Sequence, residues 1–208
     1  MKRIFEFGGI AASIVLIAFG IGSLVLSIDA RNTVGDELTR EFIVGSPDMS
    51  PAEIRKAVQE AGLTNVPIPS CDVAEKEIKT GADARCFAQY MRIHALESSG
   101  GATYAQMGRF VSAADPSDPR GTSDEAAAAK DESGKPVSNA ARNTWVTETA
   151  LSTALNVSYM AEQIALFGIV VGLALLLSGI GFLVLTLGGA IRGREQPERG
   201  RDDRPAPA

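Results

Sequence analysis

Two stretches of this chain, residues 7–28 and 163–191, contain no charged side chain, and they lie near its two ends. A bilayer's hydrocarbon core is about 30 Å thick and an α-helix rises about 1.5 Å per residue, so crossing takes roughly 20 apolar residues. The stretches hold 22 and 29 residues, and each is long enough. The chain therefore reads as an all-α membrane protein. A short N-terminus (1–6) precedes a transmembrane helix (7–28), a polar domain (29–162), a second transmembrane helix (163–191) and a tail (192–208). A cleaved signal peptide is the competing reading of the first stretch, and Met1-Lys2-Arg3 suits one. Its uncharged run exceeds an ordinary signal core, however, and Ser27-Ile28-Asp29-Ala30 is a poor cleavage site, which favours an uncleaved anchor.

Basic residues set the expected orientation. Lys2 and Arg3 precede the first span, and Arg192, Arg194, Arg199, Arg201 and Arg204 follow the second. Cytoplasmic flanks carry the Lys and Arg excess, so both termini are expected in the cytoplasm and 29–162 outside it, in the plasma membrane. That middle segment has 13 basic against 20 acidic residues, a net of −7. An acidic exterior argues against nucleic acid and against docking on anionic lipid. The only two cysteines, Cys71 and Cys86, both fall in it. An even number of cysteines outside the cytoplasm reads as a disulfide, and closing such a loop adds on the order of 3 kcal/mol. A metal or redox pair would want closer spacing or companion histidines.

Along the exterior segment, Val34, Leu38 and Phe42 recur every four residues and extend the first helix until Gly45-Ser46-Pro47. Ser50-Pro51-Ala52-Glu53 reads as a helix start with a capping box, and Gly62 as its stop. Prolines 67 and 69 keep the chain extended as far as Cys71. A helix follows from near Gly81 to Ser98, with Phe87, Tyr90, Met91 and His94 as its apolar stripe. Residues 112–142 are rich in Asp, Ser, Gly, Pro and Ala and read as a flexible loop, with at most a turn or two of helix at 126–130. From Trp145 a helical period runs without a breaker into the second span, giving a stalk of roughly 27 Å. The two stalks are expected to pair antiparallel, with the short helices against them. Trp145 is expected to pack on the domain and Tyr159 to sit at the membrane interface.

Small residues four apart mark the spans: Gly168 and Gly172, Ala174 and Ser178, and on the first Gly9 and Ser13, Ala18 and Gly22. They let helix backbones approach closely, either within the chain or in a homo-oligomer. Neither span holds an ionisable residue, which argues against transport by this chain alone. His94 is the only histidine, and Tyr90 and Glu97 could share its helix face. A catalytic reading makes His94 a base oriented by Glu97, and a metal reading makes the two a ligand pair. Both lack further partners, so the favoured reading leaves catalytic, cofactor and metal sites empty and packs His94 in the domain or against the membrane surface.

Residues 83–107, running through Cys86-Phe87-Ala88-Gln89-Tyr90-Met91-Arg92-Ile93-His94-Ala95-Leu96-Glu97-Ser98-Ser99-Gly100-Gly101-Ala102-Thr103-Tyr104, and residues 147–162, leading into the second span, resemble an uncharacterised family of two-span membrane proteins of actinobacteria. The resemblance covers about half the chain. It implies a bacterial plasma membrane and a domain facing the cell wall, and supplies no activity. Some members are labelled aromatic ring-opening dioxygenases, but non-haem iron wants two histidines and a carboxylate, and this chain has one histidine. The expected role is non-enzymatic: structure, assembly or interaction through the exterior domain, with the bilayer and another membrane or envelope protein as partners. An envelope sensor is the alternative, and an enzyme using His94 and Glu97 the remaining one.

Overall fold

The computed structural model describes residues 2–194 of the chain. Its elements are α1 (Lys2–Arg40), α2 (Pro51–Glu60), α3 (Gly81–Ser98), a short 3-10 turn (Tyr104–Gln106) and α4 (Ala140–Arg194). The fold is all-helical, and among the described residues only isolated antiparallel bridges occur beside the helices. Arg199, Arg201 and Arg204, used above to orient the chain, lie outside the described residues.

The chain divides into two compact units, one built from the ends of α1 and α4 nearest the termini and one comprising Ala30–Gln163. In the first, α1 and α4 run antiparallel. Gly9 faces Thr186, Gly20 faces Gly172 and Leu176, and Ser23 donates a hydrogen bond of 2.8 Å to the carbonyl of Gly168. The buried positions recur every seven residues: Ser13, Gly20 and Ser27 on α1, and Ala165, Gly172 and Gly179 on α4. A seven-residue repeat keeps one face turned to its partner along the length of a helix pair. A Cβ on Gly20 would come within 2.7 Å of the Leu176 nitrogen, so the backbones meet there without side chains between them.

Gly168 and Gly172 thus lie in the seam, whereas Ala18, Gly22, Ala174 and Ser178 are exposed. The reason is angular, since a two-residue step turns a helix by about 200°. Ala18 and Gly22 flank Gly20 by such a step, and Ala174 is offset from Gly172 likewise. Both helices are long and apolar enough to cross a membrane, and only 11% of either apolar window is buried in the protein. A core helix of a soluble protein would be mostly buried, so these surfaces are not accounted for by packing within the chain.

In the second unit the stalks also pair antiparallel. Arg31 meets Glu162 at 3.1 Å, and Leu38 and Leu155 share one core. That core is completed by Ile54 and Val58 of α2 and by Ala84, Ala88, Tyr90 and Ile93 of α3. Ser50 caps α2, accepting from the Glu53 amide at 3.3 Å, and Pro51 opens it as expected. The capping box is not reciprocated, because Glu53 pairs with Lys56 instead. Thr80 and Asp83 form the reciprocal box of α3. The buried face of α3 is Ala84, Ala88, Tyr90, Ile93 and Ala95, while Phe87, Met91 and His94 are only partly covered. α1 ends at Arg40, so Phe42 leaves the expected stripe and points to solvent. Trp145 packs in the domain as expected, its indole N–H donating to Ser99 Oγ and to the Ala102 carbonyl at 3.1 and 3.0 Å.

The segment expected to be a flexible loop has a regular hydrogen-bonding pattern. Phe110 and Thr122 exchange both backbone bonds, at 2.9 and 2.8 Å, and Val111 is bonded to Val137 and Ala129. Residues 126–130 are not helical, since Ala128 bridges Ser112 and Lys130 bridges Pro136. Asp115, Asp118, Asp124 and Asp131 each accept an amide two residues on, a chain of Asx turns. Asn139 closes the segment, donating to the carbonyls of Gly108 and Pro119 while its own oxygen accepts the Ala141 amide at the start of α4.

A Cβ on Gly81 would lie 2.7 Å from the Tyr159 Cα, so α3 starts directly against the α4 backbone. Gly81→Ala is expected to cost about 1–3 kcal/mol by overpacking, read from urea denaturation. Replacing Cys71 and Cys86 together by Ala removes a cross-link of 15 residues' separation and is expected to cost about 2–5 kcal/mol in the same measurement.

Candidate functional site

Tyr90, His94 and Glu97 share α3, yet they do not form one surface. The bridge from Cys71 to Cys86, with 6.1 Å between Cα atoms, holds the proline-rich segment against α3. Tyr90 is fully buried near this bridge, and its hydroxyl donates to the Cys71 carbonyl at 2.6 Å. It therefore belongs to the core. Burial, and then the nearby Asp72 carboxylate, push its phenol above the ordinary value.

His94 and Glu97 remain together. His94 Nδ1 lies 2.9 Å from Glu97 Oε2, one helical turn on, and Nε2 lies 3.4 Å from Asp48 Oδ2. Asp48 in turn accepts from Ser46 Oγ, in the segment that leads into α2. Each ring nitrogen thus faces a carboxylate, and the histidine clasps α3 to the 46–48 segment. Asp48 was not legible as a partner, because the contact joins elements distant in sequence. His94 and Glu97 would supply only two ligands, and Asp48 lies on the opposite ring nitrogen, where it cannot join them on one ion. Among the described residues no group of three or more His, Cys, Asp or Glu side chains is gathered for a metal ion.

Beside His94 is an open hollow of about 400 Å³, lined also by Met91, Ser98, Thr147, Glu148 and Leu151. Glu148 is buried, and Ser152 donates to it at 2.6 Å. The Ser98 hydroxyl is committed to the Ala95 carbonyl at 2.9 Å, and both cysteines are oxidised. A base would need a nucleophile or water held within reach, with its own nitrogen free to receive the proton. His94 has a carboxylate facing each ring nitrogen, and among the described residues no hydroxyl or thiol hydrogen-bonds to it.

A larger groove of about 610 Å³ opens between α1, α3 and α4. Its walls are Leu38, Ile43, Phe87, Met91, Leu151, Ala154 and Leu155, with Glu37 and Glu41 at the edge. The lining residues come from three segments far apart in the chain, so no local sequence pattern announces the groove. Tyr159 stacks under Arg85, whose guanidinium carbon is 4.6 Å from the ring centre, and Arg92 lies 5.2 Å over Trp145. These contacts fix the two aromatics within the domain.

Comparison with known protein families, characterised proteins and solved structures gives no match.

The Tyr90 phenol titrates near 10 when unfolded and higher when folded, so the neutral form is favoured in the fold. Its contribution to stability is complete below about pH 10 and declines as pH rises through the folded value. Tyr90→Phe is expected to lose about 1 kcal/mol at neutral pH and to flatten the fall in stability above pH 10. Urea denaturation across that range checks it, and an identical alkaline slope in the variant would contradict the assignment.

Proposed function

We infer that this chain is an integral plasma-membrane protein and a non-enzymatic interaction or assembly factor. α1 and α4 span the bilayer, both termini are cytoplasmic, and residues 29–162 stand outside, where they engage another membrane or envelope protein. The apolar surface that α1 and α4 leave uncovered supports the anchoring, and the basic residues beyond each span support the sidedness. The observation that carries the role is the groove of about 610 Å³, whose walls are mainly apolar, with Glu37 and Glu41 at its edge. Exposed apolar concavities of this kind mark binding surfaces. The histidine, by contrast, is occupied on both sides by Asp48 and Glu97. The resemblance to two-span actinobacterial proteins agrees with this reading.

Chemical crosslinking in native membranes tests it. The same neighbouring protein is expected to co-purify with the wild type and with His94→Ala, because the histidine serves the fold and not a reaction. A hydrolytic or oxidative turnover lost in His94→Ala with the fold intact would overturn the reading, as would reproducible failure to capture any neighbour.

A further inference from the structure

The rim of the groove carries the least comfortable residue in the exterior unit. Phe42 lies between Glu41 and Ile43, both of which line the groove. Leu38 and Ile43 also line an adjoining hollow of about 220 Å³ that Phe42 itself borders. Phe42 follows the end of α1 with φ +51°, in the left-handed region that bulky residues avoid and that Gly or Asn usually fills at helix ends. Phe42 is 86% exposed, so although its N–H donates to the Thr39 carbonyl at 3.3 Å, its side chain gains little packing in the domain to offset the backbone conformation. A strained, solvent-exposed aromatic next to an apolar groove has the character of an interface anchor.

The groove also specifies what fits it. On α4 the lining residues Leu151, Ala154, Leu155 and Ser158 follow a helical stripe over two turns, and on α3 Phe87 and Met91 are one turn apart. Apolar ridges at helical spacing on both walls suit another helix with apolar residues at the same intervals. The lining has two carboxylates, Glu37 and Glu41, and no cation. Glu37 is paired only with Arg40, at the surface, and Glu41 has no side-chain partner among the described residues. A second copy of this chain docked symmetrically would bring Glu37 and Glu41 of both copies into one interface, and these like charges disfavour self-association here.

We propose that this groove, with Phe42 at its rim, receives an amphipathic helix of a partner protein that carries Lys or Arg beside its apolar stripe. The proposal rests on the interaction role above and names the chemistry of the partner.

A library of displayed helices with a fixed apolar stripe and random flanking positions, selected against the full-length protein in phosphatidylcholine nanodiscs, tests it. Selected helices are expected to be enriched in Lys and Arg at the flanks. Phe42→Asn should weaken their binding at least tenfold while leaving the melting temperature equal or higher, since Asn tolerates the left-handed conformation. Leu151→Asp, at a half-exposed position, should do the same to binding with the fold retained. The double variant Glu37→Lys, Glu41→Lys should reverse the enrichment toward Asp and Glu. Selection of no helix, or of helices that bind both single variants as well as the wild type, would overturn the proposal. Saturable binding of dodecyltrimethylammonium in the groove without any selected helix would overturn it in favour of a single-chain amphiphile. Self-association abolished by Phe42→Asn would overturn it in favour of a second copy. In each case a neighbour that still co-purifies from native membranes keeps the interaction role itself standing.

Discussion

The hydrogen bond from Tyr90 to the Cys71 carbonyl, beside the bridge to Cys86, is the contact on which the unit Ala30–Gln163 depends. Between α2 and α3 the chain runs through residues 61–80 with neither helix nor strand, and a segment of that kind has no periodic hydrogen bonding to hold it. The bridge restricts it in the unfolded state, and Tyr90 ties it to α3 in the folded one. Val73 and Ile78, which follow, can then be buried against α2 and α3, and the 73–78 segment pairs with 43–49 through the Ile43, Gly45 and Met49 backbones. That pairing brings Asp48 to His94. The histidine clasp is thus a consequence of the core.

The pairing of α1 with α4 obeys a different rule. In the apolar unit the contact positions are Gly, Ser and Ala at seven-residue intervals, where close backbone approach and dispersion supply the attraction. In the unit Ala30–Gln163 the same two helices meet through Leu38, Leu155 and the Arg31–Glu162 pair, where burial from water supplies it. One pair of helices therefore carries two kinds of seam, each matched to what the flanking sequence allows.

The segment between α3 and α4 shows how a polar sequence can be ordered without a core of its own. Its amides are taken up by other backbone carbonyls and by four aspartates, and Asn139 joins it to the first turn of α4. Composition predicted looseness because composition counts apolar side chains, while the ordering here is polar and main-chain. The Ser117 and Ser133 hydroxyls, donating to Asp115 and Asp131, hold those two carboxyls below the ordinary carboxylate range, as expected where turn amides also point at them.

The charge-free stretches, the cap at Ser50, the glycine stop at Gly62, the unbroken period into α4 and the cysteine pair were legible in the sequence, because each is a local or compositional signal. Length and hydropathy decide that a helix can span, and the chain's two cysteines have only each other. The burial of Tyr90, the approach of Asp48 to His94, which of the four-residue motifs enter the seam and which stay exposed, and the groove walled by three helices were decided by the tertiary structure. Each requires residues far apart in the chain to share a space. The exposure of Phe42 belongs with them: its spacing fitted an apolar stripe, but α1 stops two residues earlier and the backbone turns left-handed, so the ring that periodicity would bury faces water.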